Sequence, residues 1–481
     1  MKFKRFLEKW AVYIVALIVL IIFSLLFREG HNWGGDFSQY IMQARALVDK
    51  SFLQDLIDFN YRYYPWGFPL LLSPVYYFFG LNLLAMKIFV NLFFVASLFV
   101  IYRIFKNKIN IFLISFILLV FSFNLFTLDF KDQILSDTPF LFFSLLSLFL
   151  IDLTVVRKKV FINRWVDYLL LGFMAFMSFF IRTQGITVLV VLLVCQLYVH
   201  YKSGSKLFPL KKSKLINYLS LIFFLLFFLL SRYLFLKNEG YNYFIEFFNN
   251  FSFHSIISNI VYYFKLLPEF FNTSGAFHVL FWAFFIISLV GVYKRRKKDF
   301  VYLLYFSLTG GLLLIWPGQQ GYRFIMFFYP FFLFYLFVAL QRINFYYKYV
   351  LVYVIVFVFM ANSFLALSFF SAPFVLNKYS EYKVISGPYK EYNLKLIDYI
   401  EKNTNKDDLM VFSKPRTLSL YTGRKSIYIK DFNSNQSFDY IVLIDYYKGQ
   451  TQELEDYIYN NSNDFDLVFS NQNSRVFKIK K

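Results

Sequence analysis

The first polar stretch of the chain contains an aspartate that could act as a base. Asp36 follows Gly34 and Gly35, and apolar residues recur at helical spacing from Asp36 to Val48. A carboxylate at the start of a helix is typical of an N-cap, where it accepts backbone N–H groups. The same carboxylate in a hydrophilic loop could take a proton from a substrate hydroxyl. The sequence leaves both interpretations open.

A second acidic group lies between two apolar runs. Asp129, Asp132 and Asp137 occur there together with Lys131. Carboxylate oxygens are the ligands that Mg²⁺ and Mn²⁺ prefer, so these three residues are candidate ligands of a divalent cation. Asp137 could also cap a helix that begins just before Pro139.

Four basic residues are candidates for binding an anion. A guanidinium binds phosphate through two parallel hydrogen bonds, whereas an ammonium binds it as a point charge. Interfacial arginines also extend toward water without any ligand, and that alternative stays open. The four residues are Arg62, Lys131, Arg182 in the turn 182–185, and Arg323 at the end of the segment 316–323.

The elements that carry these residues are predominantly apolar. Of 481 residues, 59% are apolar and 16% charged, with 70 Phe and 39 Tyr, whereas soluble domains have about 25% charged residues. Apolar runs of roughly 17–25 residues are long enough to cross a bilayer. We therefore predict a polytopic α-helical membrane protein with about eleven spans, starting near 10–27, 82–104, 109–127, 138–156, 166–181, 185–201, 215–235, 276–293, 300–315, 324–341 and 349–370.

The distribution of basic residues predicts the orientation. Lys and Arg are concentrated before the first span and in the loops 103–108, 157–165, 202–214, 294–299 and 342–348, which all fall on one side. By the positive-inside rule that side is cytoplasmic, so the C-terminal tail is extracytoplasmic. The net charge of +21 is then a topology signal directed at anionic membrane lipids, and we predict no nucleic-acid partner. The protein is expected in a bacterial plasma membrane.

Three hydrophilic segments lie on the outer side, at 28–81, at 236–275 and from 371 onward. In the first, the stretch 61–69 predicts a turn into a second juxtamembrane helix over 70–79. The third predicts a small α/β domain, with helices at 389–403 and 451–460, a short helix between them, and strands at 408–412, 426–430, 439–444, 465–470 and 474–479. We assign this domain no catalysis. The single cysteine, Cys195, is expected to be a core residue.

Four motifs together resemble those of the GT-C superfamily of integral membrane glycosyltransferases. They are Gly34-Gly35-Asp36, Tyr64-Pro65-Trp66-Gly67-Phe68-Pro69, Ser136-Asp137-Thr138-Pro139-Phe140 and Ile181-Arg182-Thr183-Gln184-Gly185. The resemblance covers the chain to about residue 340 and is to the branch that contains protein O-mannosyltransferases and the lipid A aminoarabinose transferase. Family members often have paired acidic residues in the first loop, whereas Phe37 and Ser38 follow Asp36 here.

The resemblance implies a transmembrane catalytic domain over 1–370, with the large first loop 28–81, and a soluble domain over 371–481. It implies inverting transfer of a sugar from a polyprenyl-phosphate donor to a hydroxyl of a lipid, glycan or protein acceptor. Asp36 would be the general base, and Arg62, Lys131, Arg182 and Arg323 would bind the donor phosphate. A divalent cation on Asp129, Asp132 or Asp137 could share that role, and Tyr64, Gln184 and Tyr322 would line the substrate.

Two other classes of protein remain as alternatives. A transporter or a flippase of lipid-linked sugars would also have many spans, but transport pathways usually contain ionisable groups at mid-membrane, and the predicted spans contain almost none except Lys87. An anchored assembly protein would leave the outer carboxylates without a role.

Overall fold

The computed structural model describes residues 2–202, 218–236, 247, 249, 251–271, 275–316, 318–342, 348–375, 383–429, 437–445 and 448–480. Its α-helices, in chain order, are α1 (Lys2–Leu25), α2 (Gly35–Val48), α3 (Lys50–Phe59), α4 (Gly67–Phe79), α5 (Leu83–Phe105), α6 (Ile111–Ser122), α7 (Leu125–Phe130), α8 (Asp137–Leu150), α9 (Arg164–Ile181), α10 (Ile186–Lys202), α11 (Leu219–Leu234), α12 (Phe253–Leu266), α13 (Gly275–Arg295), α14 (Phe300–Ile315), α15 (Phe328–Arg342), α16 (Lys348–Val375), α17 (Glu391–Asn403), α18 (Pro415–Thr422) and α19 (Lys448–Asn460). The strands are β1 (Met410–Val411), β2 (Ser426–Ile427), β3 (Tyr440–Ile444), β4 (Phe465–Ser470) and β5 (Ser474–Ile479).

The chain folds into two compact units. The helical unit comprises Met1–Leu26, Ile88–Lys131 and Ser136–Ala372. The mixed unit comprises Phe27–Lys87, Asp132–Leu135 and Pro373–Lys481. The sequence places the first loop in the transmembrane domain, but this loop packs with the C-terminal segment.

In the described part of the chain, each of the eleven predicted spans overlaps a helix, and residues 215–217 of the span 215–235 lie outside that part. The number of helices that cross a membrane stays a prediction. Within the described residues, six helices are long and apolar enough to span: Leu83–Phe105, Asp137–Val156, Arg164–Ile181, Thr183–Lys202, His278–Arg295 and Val350–Ser371. The other predicted spans coincide with shorter apolar helices. Large apolar side chains on α16, such as Tyr353, Phe357 and Phe364, are more than half exposed, which fits a surface that faces lipid.

One predicted span is interrupted. The run 109–127 predicts a continuous helix, but α6 ends at Ser122 and α7 begins at Leu125. The Asn124 side chain accepts a hydrogen bond from the Phe126 N–H at 3.1 Å. An asparagine cap of this kind starts a new helix, and the apolar pattern did not reveal it.

In the mixed unit, three helices form the first loop. Helix α2 is buried on all sides from Phe37 to Ala44, including its polar residues Ser38, Gln39 and Gln43. The loop then turns at Asp49, whose carboxylate caps α3 by accepting the N–H groups of Ser51 and Phe52. Helix α4 confirms the helix predicted over 70–79 but begins earlier, at Gly67. This start is possible because Pro69 falls in the first turn, where no N–H donor is needed.

The C-terminal segment confirms the predicted order of helices and strands. Its sheet has the strand order β2-β1-β3-β5-β4. Strand β1 runs parallel to β2 and β3, and β5 runs antiparallel to β3 and β4. The only large shortening is in β1 and β2, which have two residues each.

The first loop and the C-terminal segment share one hydrophobic core. Trp33 is 1% exposed and packs with Leu396, Phe412, Leu418 and Val442 of the sheet and its helices. At Gly387 a side chain could not fit, because an added Cβ would lie 2.0 Å from the His31 carbonyl oxygen. The mixed unit is therefore one folded body in which the first loop and the distant C-terminal segment share a core.

Candidate active site

Asp36 occupies the first turn of α2 but does not cap it. The N-cap position is Gly34, which makes no side-chain cap hydrogen bond. The Gly34 N–H instead donates to Asn32 Oδ1 at 2.9 Å. The N-cap interpretation of Asp36 is therefore wrong, and its carboxylate has a different partner near the positive end of the helix dipole.

That partner is a tyrosine, which is in turn bound by an arginine. Tyr64 Oη donates to Asp36 Oδ1 at 2.7 Å. Arg416 Nη1, on α18, donates to Tyr64 Oη at 2.7 Å. Because a guanidinium has no acceptor and a phenol has one proton, the direction of both hydrogen bonds is fixed. We call this row of three residues the Asp36 chain.

Tyr64 is held in place independently of the Asp36 chain. The Gln43 side chain accepts the Tyr64 N–H at 2.9 Å and donates to the Tyr64 carbonyl at 3.0 Å. The Tyr40 ring packs against the Tyr64 ring, with the two ring centroids 5.0 Å apart. Burial raises the pKa of the Tyr64 hydroxyl to about 12, while Arg416 opposes the rise and Asp36 adds to it. The phenol is thus a proton donor to Asp36 throughout the neutral range.

A second polar cluster lies in the helical unit, around Asp137. This carboxylate is the first residue of α8, and its side chain is 2% exposed. Arg323 Nε and Nη2 donate to its two oxygens at 3.1 and 3.0 Å, and Arg182 Nη1 donates to Oδ1. Asp137 thus brings two guanidiniums side by side, and guanidiniums bind phosphate through paired hydrogen bonds. We call this group the Asp137 cluster.

The turn after Arg182 depends on a glycine. Thr183–Gly185 forms one turn of 3₁₀ helix between α9 and α10. A Cβ at Gly185 would lie 2.3 Å from the Ser178 carbonyl carbon, so the close return of the chain requires glycine. Gln184 of this turn lines a small cavity with Asp137, Arg323 and Tyr305. In the part of the chain that the structure describes, Gln184 Nε2 is buried and has no hydrogen-bond partner.

Asp132 belongs to the mixed unit. It is fully buried there and accepts hydrogen bonds from Arg28 N–H and Nε at 3.0 and 2.8 Å. Lys87 Nζ lies 3.9 Å from its Oδ1 and donates to the carbonyls of Arg28 and Gly30. Asp132 and Lys87 therefore anchor the start of the first loop.

Four further residues were predicted to belong to the site: Lys131, Tyr322, Arg62 and Asp129. Lys131 is 1% exposed, with its ammonium 5.5 Å from the centre of the Phe370 ring. Tyr322 stacks on Phe126 at 4.2 Å. Arg62 is partly buried in the loop between α3 and α4, and Asp129 lies in α7.

Two of the three predicted cation ligands are already bound by cationic side chains. Among the residues with described positions, no three acidic, imidazole or thiol groups come together in a way that could hold a metal ion. Both oxygens of Asp132 and of Asp137 already accept hydrogen bonds from cationic or backbone donors. The charge that a cation would supply at Asp137 is supplied by two arginines.

Sequence reasoning missed Arg416 and His31. Arg416 follows Pro415 at the start of an ordinary short helix, and nothing in its local sequence indicates that it reaches the first loop. His31 is 2% exposed; its Nδ1 lies 3.0 Å from Asn32 Oδ1, and its Nε2 accepts the Ile134 N–H at 3.3 Å. Burial, with a contribution from Lys87, lowers the pKa of His31 to about 4.

No protein-family model and no curated protein matches the chain. Solved structures do match it. ArnT from Cupriavidus metallidurans bound to undecaprenyl phosphate superposes with a TM-score of 0.63 at 11% identity, covering 97% of each chain. The oligosaccharyltransferase AglB from Archaeoglobus fulgidus, in complex with an inhibitory peptide and a dolichol-phosphate, gives 0.53 at 10% identity, covering 91% of this chain and 69% of that one.

A third similar structure is a complex of the Archaeoglobus fulgidus oligosaccharyltransferase with Zn and sulfate, with a TM-score of 0.53 and 11% identity over 89% of this chain and 67% of that one. At such identities the similarity concerns the fold, and the coverage extends through the C-terminal segment. The sequence resemblance reached only to about residue 340. ArnT and AglB are GT-C glycosyltransferases, and this chain has their GT-C fold.

Proposed function

We propose that this chain is a membrane glycosyltransferase that moves a sugar from a polyprenyl-phosphate donor to a hydroxyl acceptor, with inversion at the anomeric carbon. The observation that carries the proposal is the Asp137 cluster, in which Asp137 holds two guanidiniums, those of Arg182 and Arg323, side by side. Such a group suits a lipid phosphate. The fold supports the same conclusion, because the similar ArnT structure contains undecaprenyl phosphate.

The reaction would be a single displacement. Asp36 takes the proton of the acceptor hydroxyl as its oxygen attacks the anomeric carbon. The bond from that carbon to the phosphate oxygen breaks, and its electron pair leaves with the polyprenyl phosphate. Arg182 and Arg323 stabilise the charge that develops on the departing phosphate, where fixed cations lower the barrier more than they strengthen ground-state binding.

We assign the prenyl tail to an apolar cavity in the helical unit. The cavity has a volume of about 370 Å³ and lies among α12, α13, α14 and α15. Its walls are mostly aromatic and aliphatic, including Phe281, Phe285, Phe306, Phe328 and Phe332. Isoprene units are apolar and branched, so their transfer into such a cavity is favourable.

The orientation is part of the proposal. With a cytoplasmic N-terminus, the mixed unit would face the extracytoplasmic side. Cys195 is fully buried, so background labelling with a membrane-impermeant maleimide should be low. We expect Asp407→Cys to be labelled in intact spheroplasts and Lys297→Cys only after permeabilisation; both native side chains are exposed. The reverse pattern would overturn the orientation.

The decisive experiment is donor turnover by purified protein. Wild type, Asp36→Asn and the control Asp58→Asn are incubated with a panel of polyprenyl-phosphate sugars and membrane-extract acceptors, and released polyprenyl phosphate is measured. Asp58→Asn makes the same chemical change on an exposed helix face, where Asp58 accepts from Gln54. We expect turnover by wild type and control and its loss in Asp36→Asn. Equal turnover by all three removes Asp36 from the role of base, and binding without turnover by any favours a flippase.

A further inference from the structure

We propose that Arg416 is a positioning residue for Asp36, acting through the Tyr64 hydroxyl, so that the C-terminal segment sets the pH range in which the base works. This inference rests on the proposed function. Arg416 belongs to a segment to which the sequence gives no catalytic role, and it reaches Asp36 through the side chain of Tyr64.

The first argument is the polarity of the Asp36 chain. Arg416 donates to the phenol oxygen, and the phenol donates to the carboxylate, so both hydrogen bonds point toward Asp36. A cation that binds the phenol oxygen makes its O–H a stronger donor, and chains of hydrogen bonds strengthen one another in this way. A stronger donor favours the ionised carboxylate over the protonated one. The guanidinium thereby keeps Asp36 ready to accept a proton at lower pH.

The second argument is that the fold holds Arg416 in place without help from Asp36. Thr417 Oγ1, the next residue of α18, lies 2.9 Å from Ser38 Oγ on α2. Leu418 is fully buried in the core that contains Trp33. Ser419 Oγ lies 2.8 Å from Tyr61 Oη. Consecutive residues of α18 thus attach this helix to the first loop, and Arg416 is directed at Tyr64 by that attachment.

The third argument concerns the other titratable groups on the elements packed around α2. At the far end of the helix Arg45 pairs with Asp49 at 3.7 Å, and both act on Tyr76 of α4. On α3, Asp55 pairs with Lys406 at 2.9 Å, and Asp58 binds Gln54. Tyr61, in the loop before Tyr64, interacts with Arg416 as well, and burial raises the pKa of its hydroxyl to about 12. Neither phenol changes charge near neutral pH. In the Asp36 chain, the charged group other than Asp36 itself is therefore Arg416.

The test is the pH profile of donor turnover in wild type and four variants. In Arg416→Gln the acid limb of kcat/KM should move to higher pH by about one unit, because an opposite charge near a carboxylate shifts its titration by about that much or more. Arg416→Lys should restore part of the shift. Tyr64→Phe should show a similar shift, and the double variant Arg416→Gln/Tyr64→Phe should add little to it, since both changes break one chain. Unmoved limbs, or additive shifts in the double variant, would overturn the proposal.

Two controls separate an effect through Tyr64 from a general loss of positive charge and from loss of turnover. Lys395→Gln removes one positive charge from an exposed pair with Glu391 in the same unit, and its profile should match wild type. Infrared difference spectra between high and low pH detect protonation of Asp36, assigned by the band that Asp36→Asn lacks. That band should appear at higher pH in Arg416→Gln even if no donor is turned over. The infrared measurement therefore tests the effect of Arg416 on Asp36 separately from the proposed glycosyl transfer.

Discussion

Neutralising Asp137 should lower the stability of the protein and, at the same time, raise its affinity for a lipid phosphate. Asp137→Asn removes the charge that pairs with two guanidiniums whose side chains are 12% and 20% exposed. Breaking a buried ion pair by removing one partner costs about 3–5 kcal/mol. We take the lower figure, about 3 kcal/mol, because both arginines retain some solvent. An amide also keeps part of the hydrogen bonding.

The opposite sign is expected for the lipid. In the wild type a phosphate must compete with Asp137 for the guanidiniums of Arg182 and Arg323. The two hydrogen bonds from Arg323 to the carboxylate measure 3.0 and 3.1 Å. A hydrogen bond to a charged group contributes about 1.5–3 kcal/mol. Releasing one such bond should therefore tighten binding of polyprenyl phosphate by at least about tenfold, which corresponds to about 1.4 kcal/mol.

The assay is thermal unfolding in detergent, with and without polyprenyl phosphate. The variant should melt below wild type without lipid and gain more from lipid than wild type does. Asp299→Asn is the matched control, because Asp299 is 1% exposed and pairs with Arg295 and Lys108 in the same unit. It should lose stability without gaining lipid affinity. If Asp137→Asn, eluting as a monodisperse peak, binds the lipid no better than wild type, the assignment of the two arginines to a phosphate is refuted.

Three further predictions follow from described contacts. First, burial lowers the pKa of His31 to about 4 in the folded chain, against about 6.5 for an unperturbed imidazole. The free energy of unfolding should therefore be highest above about pH 6.5 and should fall by roughly 3 kcal/mol as the pH drops toward 4. In His31→Phe the melting temperature should depend less on pH over that range. Second, Gly310 lines the apolar cavity, and an added Cβ there meets no atom within 4 Å. In a turnover assay Gly310→Leu should raise KM for long-chain donors more than for short-chain donors, while the melting temperature stays unchanged or rises. Equal effects on both donors would contradict the assignment of the prenyl tail to this cavity. Third, turnover should continue in the presence of EDTA, because arginine and lysine side chains already bind the carboxylates of Asp132 and Asp137. If EDTA abolished activity and Mg²⁺ or Mn²⁺ restored it, the pairing of these carboxylates with cationic side chains would not explain their function.

The sequence predicted local elements well because their patterns are local. The helical spacing after Asp36 and the alternation in the last hundred residues each need only neighbouring side chains. The turn at Arg182 was also visible, because its glycine and polar residues interrupt two long apolar runs. Local patterns do not give the partners of charged side chains. The sequence made Asp132 and Asp137 candidate cation ligands, and it did not show that Asp132 binds Arg28 or that Asp137 binds Arg323.

Long-range partnership accounts for the other misses. Arg416 is separated from Tyr64 by 352 residues, and no periodicity or motif links a short helix near the C-terminus to a loop near the N-terminus. The same limit applies to the domain boundary. Composition changes sharply near residue 371, which suggests a separate domain, yet composition cannot show that Trp33 completes that domain's core.

The shared core has a consequence for how the protein is made. Thr417 Oγ1 donates to the Trp33 carbonyl across 384 residues of chain. During synthesis the first loop leaves the ribosome early, and Trp33 has no core to enter until nearly all of the remaining chain has been translated and inserted. A chain that stalls or is cut before α18 would therefore keep an exposed tryptophan at its beginning. Completion of the final segment is then the event that lets the first loop mature, so a truncated protein should be recognised as unfinished by proteases that act on its N-terminal part.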